Sequence, residues 1–123
     1  MSDHPTSPVT PPPGLWESID DLCAWLDANQ PVGGPDGFLL RILKLSEEVG
    51  EVAQAVVGAT GQNPRKGTTH TWDDVQSELC DVAVTALVAL RTLTPAAPEV
   101  FARHVEGVTR RSLGPRRPDA SEV

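Results

Sequence analysis

The sequence predicts an all-α protein of four helices, and three observations support that class. The twelve prolines leave two long proline-free stretches, 36–63 and 65–94, and proline is excluded from helix interiors. Those stretches are rich in Ala, Leu, Val and Glu, and their apolar residues recur at helical spacing. Aromatic residues make up only 4% of the chain and tyrosine is absent, which disfavours an all-β fold.

The first two helices are predicted from apolar residues spaced three or four positions apart. Helix one is expected over about 15–28, followed by a Pro/Gly-rich loop over 29–37. Helix two is expected over about 38–57, where Gly58 and Gly61 end it. Its apolar stripe is expected to face the core and consists of Ile42, Leu45, Val49, Val52 and Val56.

The last two helices are predicted from their end signals. Thr71 is the expected N-cap of helix three, with acidic residues in the first turn, and the helix continues to about Leu93. Pro95 and Pro98 mark the next start. Helix four then carries an apolar face and ends at Gly114; that face includes Phe101, His104, Val105 and Val108.

A chain of 123 residues fits one domain with a modest core. The domain is expected over 15–112, between a disordered N-terminal tail over 1–14 and a flexible C-terminal tail over 113–123. Four helices with short links predict a compact bundle, formed alone or with a partner subunit. The almost wholly apolar run 82–90 favours a subunit interface, so a homodimer or homotetramer is expected.

Composition excludes several classes of function. The net charge of −7 argues against binding polymeric nucleic acid, although it permits a single nucleotide held through a metal. No apolar run reaches the ~18 residues of a membrane span, and the first fourteen residues lack a signal segment, so a cytoplasmic protein is expected. Cys23 and Cys80 fall within helical apolar patterns, which predicts free thiols in the core without zinc or redox chemistry.

Two pairs of acidic residues carry the chemistry of this sequence. Glu48 and Glu51 lie three residues apart on helix two, and Glu78 and Asp81 have the same spacing on helix three. Residues three apart share one face of a helix, so the two pairs can converge on one cavity. Four carboxylates repel one another unless a cation lies between them, and hard oxygen ligands favour Mg²⁺ or Mn²⁺. Glu47 projects further round and is the spare acid.

The polar residues of helix three strengthen this interpretation. Five of them project within about 60° of one another, in a helix whose run 82–90 is almost wholly apolar; they are Asp74, Glu78, Asp81, Thr85 and Thr92. The alternative is that the acidic pairs are ordinary solvated faces, with Glu51 paired to Lys44. The occurrence of two pairs, one of them within core sequence, favours the metal site.

The segments 43–53 (LKLSEEVGEVA) and 77–83 (SELCDVA) resemble the MazG-like all-α nucleoside triphosphate pyrophosphohydrolases. The signature of that superfamily is E-x-x-E, a spacer and E-x-x-D, and here 26 residues separate Glu51 from Glu78. Its members include dimeric dUTPases, dCTP pyrophosphatases and phosphoribosyl-ATP pyrophosphohydrolase. The resemblance extends over about 15–112.

The resemblance implies a four-helix bundle-like fold completed by oligomerisation, and a hydrolase that converts a (d)NTP or a modified nucleotide to NMP and pyrophosphate. It also implies that four acidic residues hold Mg²⁺ and form the catalytic set, namely Glu48, Glu51, Glu78 and Asp81. Among them, Glu48 would orient the attacking water. Candidates for contact with the phosphates are Lys44, Arg103 and Arg111.

Two departures from the superfamily pattern leave a second hypothesis open. The last helix lacks the asparagine that often accompanies its basic residues, and the stretch 31–37 lacks an aromatic residue for stacking on a base. The alternative is therefore a catalytically weak or inactive module that binds nucleotide or metal, or regulates as an oligomer. A purely structural helical domain is the third reading.

Overall fold

The computed structural model describes residues 14–114, and this part of the chain is all-α, with four helices and no strand. The helices are α1 (Leu15–Asn29), α2 (Gly34–Thr60), α3 (Trp72–Leu93) and α4 (Ala97–Leu113). The prediction of an all-α class is confirmed. Apart from their inner ends, the predicted tails 1–14 and 113–123 lie outside the described residues. None of the four helices is long and apolar enough to cross a membrane.

Helix α2 is longer than predicted at both ends. It begins at Gly34 rather than near Phe38, because Pro35 occupies its first turn, where a missing N–H costs no hydrogen bond. It ends at Thr60, and Gly61 follows in the left-handed conformation with φ +64°. Pro35 therefore belongs to the first turn of this helix, and Gly61 is its C-cap, so neither residue lies in a loop away from the helix.

Helix α3 begins with a reciprocal capping box, which confirms the predicted N-cap. The Asp74 amide donates to Thr71 Oγ1 at 3.2 Å, and the Thr71 amide donates to Asp74 Oδ2 at 2.9 Å. The hydrogen bond from Thr71 holds the pKa of Asp74 below its ordinary value. The cap fixes the start of α3 at Trp72, nearly two turns before Glu78.

Helix α3 is the centre of the structure: it packs along α2 and also contacts α1 and α4. Ile19 of α1 is buried against Leu87 and Val88 of α3. Trp16 of α1 meets Phe101 of α4 edge to face, with 6.2 Å between ring centroids. Helices α1 and α4 are thereby brought together at the second half of α3.

The face of α2 that packs inward differs from the predicted apolar stripe. The buried row consists of Arg41, Glu48 and Ala55, which are seven residues apart and so lie almost above one another on the helix. Val49 and Val56 of the predicted stripe are 54% and 37% exposed. The prediction was wrong for these two valines because α2 directs its polar row toward α3. This orientation of α2 places the carboxylate of Glu48 between α2 and α3.

The two cysteines differ in environment. Cys23 is half-buried, and its thiol lies 3.8 Å from the carbonyl oxygen of Val88. Cys80 is exposed, so the expectation of a core thiol was wrong there. Cys80 precedes Asp81, which faces solvent as well, and this side of α3 is left uncovered by the other described helices.

Arg41 joins three helices through a buried hydrogen-bond network. Its Nε donates to Gln30 Oε1 at 3.1 Å, and its Nη1 donates to Thr92 Oγ1 at 3.0 Å. Its Nη2 forms an ion pair with Asp27 of α1 at 2.5 Å. Only 9% of Arg41 is exposed, so its charge depends on these partners. The network fixes α2 against both α1 and α3.

Replacing Arg41 by methionine is expected to lower the free energy of unfolding by about 1–3 kcal/mol, because the charge-assisted hydrogen bonds that the buried guanidinium makes to Gln30, Thr92 and Asp27 are lost. That loss lowers Tm by roughly 4–8 °C for each kcal/mol in a domain of this size. The control is Arg110→Met, which removes an exposed ion pair with Glu106 on α4 and is expected to change stability by less than about 0.5 kcal/mol. Equal effects of the two substitutions in urea denaturation would contradict the structural role of Arg41.

Candidate metal centre

The seam between α2 and α3 brings three carboxylates together. One oxygen each of Glu48, Glu78 and Asp81 lies within 4.8 Å of the other two. Glu48 comes from the buried row of α2, and the other two come from adjacent turns of α3. Three of the four acids singled out by their spacing thus meet in one cluster, contributed by two helices.

The cluster is closed on one side and open on the other. Glu48 is 9% exposed, Glu78 is half-buried and Asp81 is exposed. The exposure of the three carboxylates therefore increases from the helix interface toward solvent. A ligand approaching from solvent meets Asp81 first and Glu48 last.

The electrostatics of the cluster are unfavourable for the protein alone. Burial raises the pKa of Glu48, and the carboxylates of Glu51 and Asp81 raise it further. The positive charge of Lys44 lowers the pKa of Glu48, since its Nζ lies 3.7 Å from Glu48 Oε1. The balance is a raised pKa of Glu48, so the ionised form of this carboxylate is disfavoured by its surroundings.

One oxygen of the cluster has no partner within residues 14–114. Glu78 Oε2 is buried and accepts no hydrogen bond. A buried unpaired carboxylate oxygen is costly, and a divalent cation among the three carboxylates would satisfy it. The residues present therefore fit a divalent metal, and the all-oxygen donor set suits Mg²⁺ or Mn²⁺.

Glu51, the fourth predicted ligand, lies at the edge of the cluster. It is half-buried, and its carboxylate is close enough to raise the pKa of Glu48. It is not among the three carboxylates whose oxygens lie within 4.8 Å of one another. Mg²⁺ often keeps several waters and needs few carboxylates, so three close acids and one nearby are an adequate set.

Lys44 places a positive charge at the rim of the cluster. Its Nζ donates to Glu47 Oε2 at 3.2 Å, and this hydrogen bond raises the pKa of Lys44. Lys44 therefore forms ion pairs with Glu47 and Glu48. The alternative of solvated acidic faces had instead paired Lys44 with Glu51. The side chain of Glu47 is 62% exposed and faces away from the helix seam.

The two predicted phosphate contacts on α4 are exposed. Arg103 Nε donates to the carbonyl oxygen of Glu99 at 3.4 Å. Across residues 14–114, no hydrogen bond or ion pair joins Arg103 or Arg111 to the carboxylates of the cluster. Their roles stay predictions.

A cavity at the carboxyl-terminal end of α2 was not predicted from the sequence. A cavity of about 390 Å³ lies between the end of α2 and the loop 61–71. The signal for it is Gly58, where an added Cβ would overlap His70 Nδ1 and Thr69 Oγ1. A helical glycine that admits such a close approach indicates a loop folded back against the helix.

Comparison with protein-family models, with curated proteins and with solved structures finds no match to this chain.

Proposed function

We propose that this chain is a metal-dependent nucleoside triphosphate pyrophosphohydrolase of the MazG-like superfamily, releasing NMP and pyrophosphate from a (d)NTP or a modified nucleotide. The observation that carries the proposal is the meeting of Glu48, Glu78 and Asp81 across two helices. The unpartnered buried oxygen of Glu78 supports it. The acidic motifs resemble the superfamily signature in order and spacing.

Mg²⁺ is the proposed cofactor, with Mn²⁺ as a substitute. Glu48, Glu78 and Asp81 would hold it, and Glu51 would contribute from the edge of the cluster. A metal held by these residues would supply Lewis-acid stabilisation of the negative charge that develops during hydrolysis. The exposure of Asp81 leaves the approach to this site open to a triphosphate.

The protein's own groups would position the reactants. Glu48 is fixed by burial at the closed end of the cluster, where its carboxylate would accept a hydrogen bond from the attacking water. Lys44 lies at the rim, 3.7 Å from Glu48, and would donate to a phosphate oxygen. These roles combine positioning with electrostatic stabilisation, which dominate catalysis of phosphoryl-group chemistry.

The proposed active form is a homodimer or homotetramer that completes the helical bundle. Few apolar residues are buried in the described chain, whereas large apolar side chains on α2 and α3 are exposed. A second copy covering them would supply the missing core. These side chains include Leu39, Leu40, Leu43, Val49, Val56, Leu79, Val84 and Leu93.

A catalytically weak or inactive binding module is the second candidate. The observation that favours it is the shortage of positive charge at the cluster. Within residues 14–114, Lys44 is the cation paired with it, and both candidate arginines lie on α4 without contact to the four acids. Such a module would bind metal and nucleotide without turnover.

The test is a panel of canonical and modified (d)NTPs incubated with the purified chain and Mg²⁺, with pyrophosphate and NMP both quantified. Release of the two products in equal amounts from at least one substrate is expected, with none after chelation of the metal. Release of inorganic phosphate and a diphosphate would contradict the proposed bond cleavage. Mg²⁺ binding without any product would favour the binding module.

A further inference from the structure

The cavity beside the metal centre has the features of a base-binding site. We infer that the pocket between the end of α2 and the loop 61–71 receives the base of the nucleotide, and that it favours bases with a carbonyl oxygen where cytosine and adenine carry their exocyclic amino group. This inference rests on the proposed function and extends it to substrate selection.

The size and lining of the pocket suit a base. Its volume of about 390 Å³ lies within the range of small-ligand sites, roughly 300–1,000 Å³. Ala53, Val57 and Gly58 of α2 form an apolar wall against which a planar ring can pack. Polar groups line the remainder, and they come from Gln54, Asn63, Lys66, Thr69 and His70.

The loop that closes the pocket is held by its own backbone hydrogen bonds. The Thr69 amide donates to the carbonyl oxygen of Gly58 at 3.0 Å, which fastens the loop to α2. The amides of Lys66 and Gly67 donate to the carbonyl oxygen of Asn63 at 3.1 and 3.0 Å. Gly67 has φ +68°, a conformation that favours glycine. The pocket is therefore formed before a ligand arrives.

Two side chains are oriented by contacts within the loop. Asn63 Oδ1 accepts a hydrogen bond from the Arg65 amide at 3.1 Å, which leaves the Asn63 Nδ2 group as a donor for a ligand. His70 Nδ1 lies 2.9 Å from Thr69 Oγ1, which leaves His70 Nε2 for a ligand. The loop thus fixes hydrogen-bonding groups at the pocket.

The pocket and the acidic cluster are linked along the chain through α2 and through the start of α3. On α2, Gln54 follows Glu51 by one turn, so the pocket begins where the acidic pair ends. On the other side, the pKa of Asp74 is lowered chiefly by the Thr71 amide and also by nearby His70, and Asp74 lies one turn before Glu78. From Glu51 to Gly58 the helix rises about 10 Å, a span suited to the phosphates and sugar between metal and base.

The donors of the pocket predict which base it prefers. Lys66 has only N–H groups to offer, and Asn63 Oδ1 already accepts one hydrogen bond while its Nδ2 group is free to donate. Thymine and uracil carry a carbonyl oxygen at C4 and guanine carries one at C6, where they accept from such donors, whereas cytosine and adenine carry an amino donor at those positions. Each matched hydrogen bond is expected to contribute roughly 2- to 13-fold in affinity.

The first test uses nucleosides, which carry no phosphate and require no metal. Thymidine, deoxyuridine and deoxyguanosine are titrated into the protein in the presence of a chelator, and the side-chain amide signals of Gln54 and Asn63 are followed by NMR. Saturable shifts are expected, with binding at least about tenfold tighter than for deoxycytidine and deoxyadenosine. Equal shifts with all five nucleosides would refute the preference, and no shift would refute the site. Shifts produced by inorganic phosphate but by no nucleoside would show an anion site instead.

The second test compares matched variants in the pyrophosphate assay. Gln54→Leu and Lys66→Met remove pocket groups that make no hydrogen bond within residues 14–114, whereas Gln62→Leu and Arg65→Met alter neighbours that do not line the pocket. The pocket variants are expected to raise KM about tenfold for the preferred base, and the controls to change KM less than twofold. Turnover with unchanged KM in the pocket variants would overturn the base site and leave the proposed function intact. Nucleoside binding without release of pyrophosphate from any triphosphate would support the base site and overturn the proposed function.

Discussion

Replacing Asp81 with asparagine is expected to lower pyrophosphate release by at least about 100-fold while leaving the helical content unchanged. Asp81 is exposed, and asparagine has nearly the same shape, so the substitution creates no cavity. It removes one negative charge from the three carboxylates whose oxygens lie within 4.8 Å of one another. Metal-assisted charge stabilisation contributes several kcal/mol, and each 1.36 kcal/mol is tenfold in rate.

The control for Asp81→Asn is Glu47→Gln, which also neutralises one acid beside the cluster. Glu47 is 62% exposed and pairs with Lys44 outside the helix seam. We expect its product release to stay within about threefold of wild type, since surface ion pairs contribute little. Equal losses in the two variants would show that general surface charge, rather than the cluster, controls turnover. Full activity of Asp81→Asn would exclude this residue as an essential metal ligand.

Glu48→Gln is expected to stabilise the metal-free protein and to abolish most of its stabilisation by Mg²⁺. Without metal, burial and the carboxylates of Glu51 and Asp81 make the ionised Glu48 unfavourable, as its raised pKa indicates. Neutralisation removes that repulsion, and we expect Tm to rise by roughly 2–4 °C, equivalent to about 0.5 kcal/mol. In wild type, Mg²⁺ at 100 times its Kd is expected to stabilise the fold by about 2.7 kcal/mol.

The pH dependence of the metal-free protein follows from the same carboxylate. Because the pKa of Glu48 is higher in the folded than in the unfolded chain, its contribution to stability is complete below the unfolded value of 4.5. That contribution is lost as the pH rises through the folded value. Glu48→Gln is therefore expected to flatten the decline in Tm above pH 4.5 that wild type shows in chelator.

Thermal unfolding with and without Mg²⁺ tests these expectations, using NaCl of equal ionic strength as the control for screening. A variant that is less stable than wild type in chelator, and equally stabilised by Mg²⁺, would contradict the assignment of Glu48 to the cluster. A gain in stability together with a loss of metal response is the behaviour expected of a residue kept for binding rather than for folding.

The resemblance to the superfamily signature concerns only a small part of the sequence. The resemblance rests on two short acidic motifs, which cover eleven and seven positions of the sequence. The remaining positions set packing and surface, where many sequences satisfy the same fold. The experiments above therefore address the acidic cluster directly, since its geometry is what supports the proposed function.

The sequence by itself determined the features that depend on neighbouring residues. Helical spacing predicted the four helices, and the side chain of Thr71 predicted the start of α3, because both arise from contacts within a turn or two. The spacing of each acidic pair placed its members on one helix face for the same reason. The extra first turn of α2 was missed, since Pro35 is compatible with a loop and with the first turn of a helix.

Only the tertiary structure decided what depends on contacts between distant segments. The packing of α2 on α3 buried the row of Arg41 and Glu48 and left Val49 exposed, although hydrophobicity alone favours the opposite rotation. The same packing brought Glu48 to Glu78 and Asp81, with Glu51 at the edge. The pocket beside the cluster exists because the loop 61–71 folds back over Gly58, a contact that no local periodicity encodes.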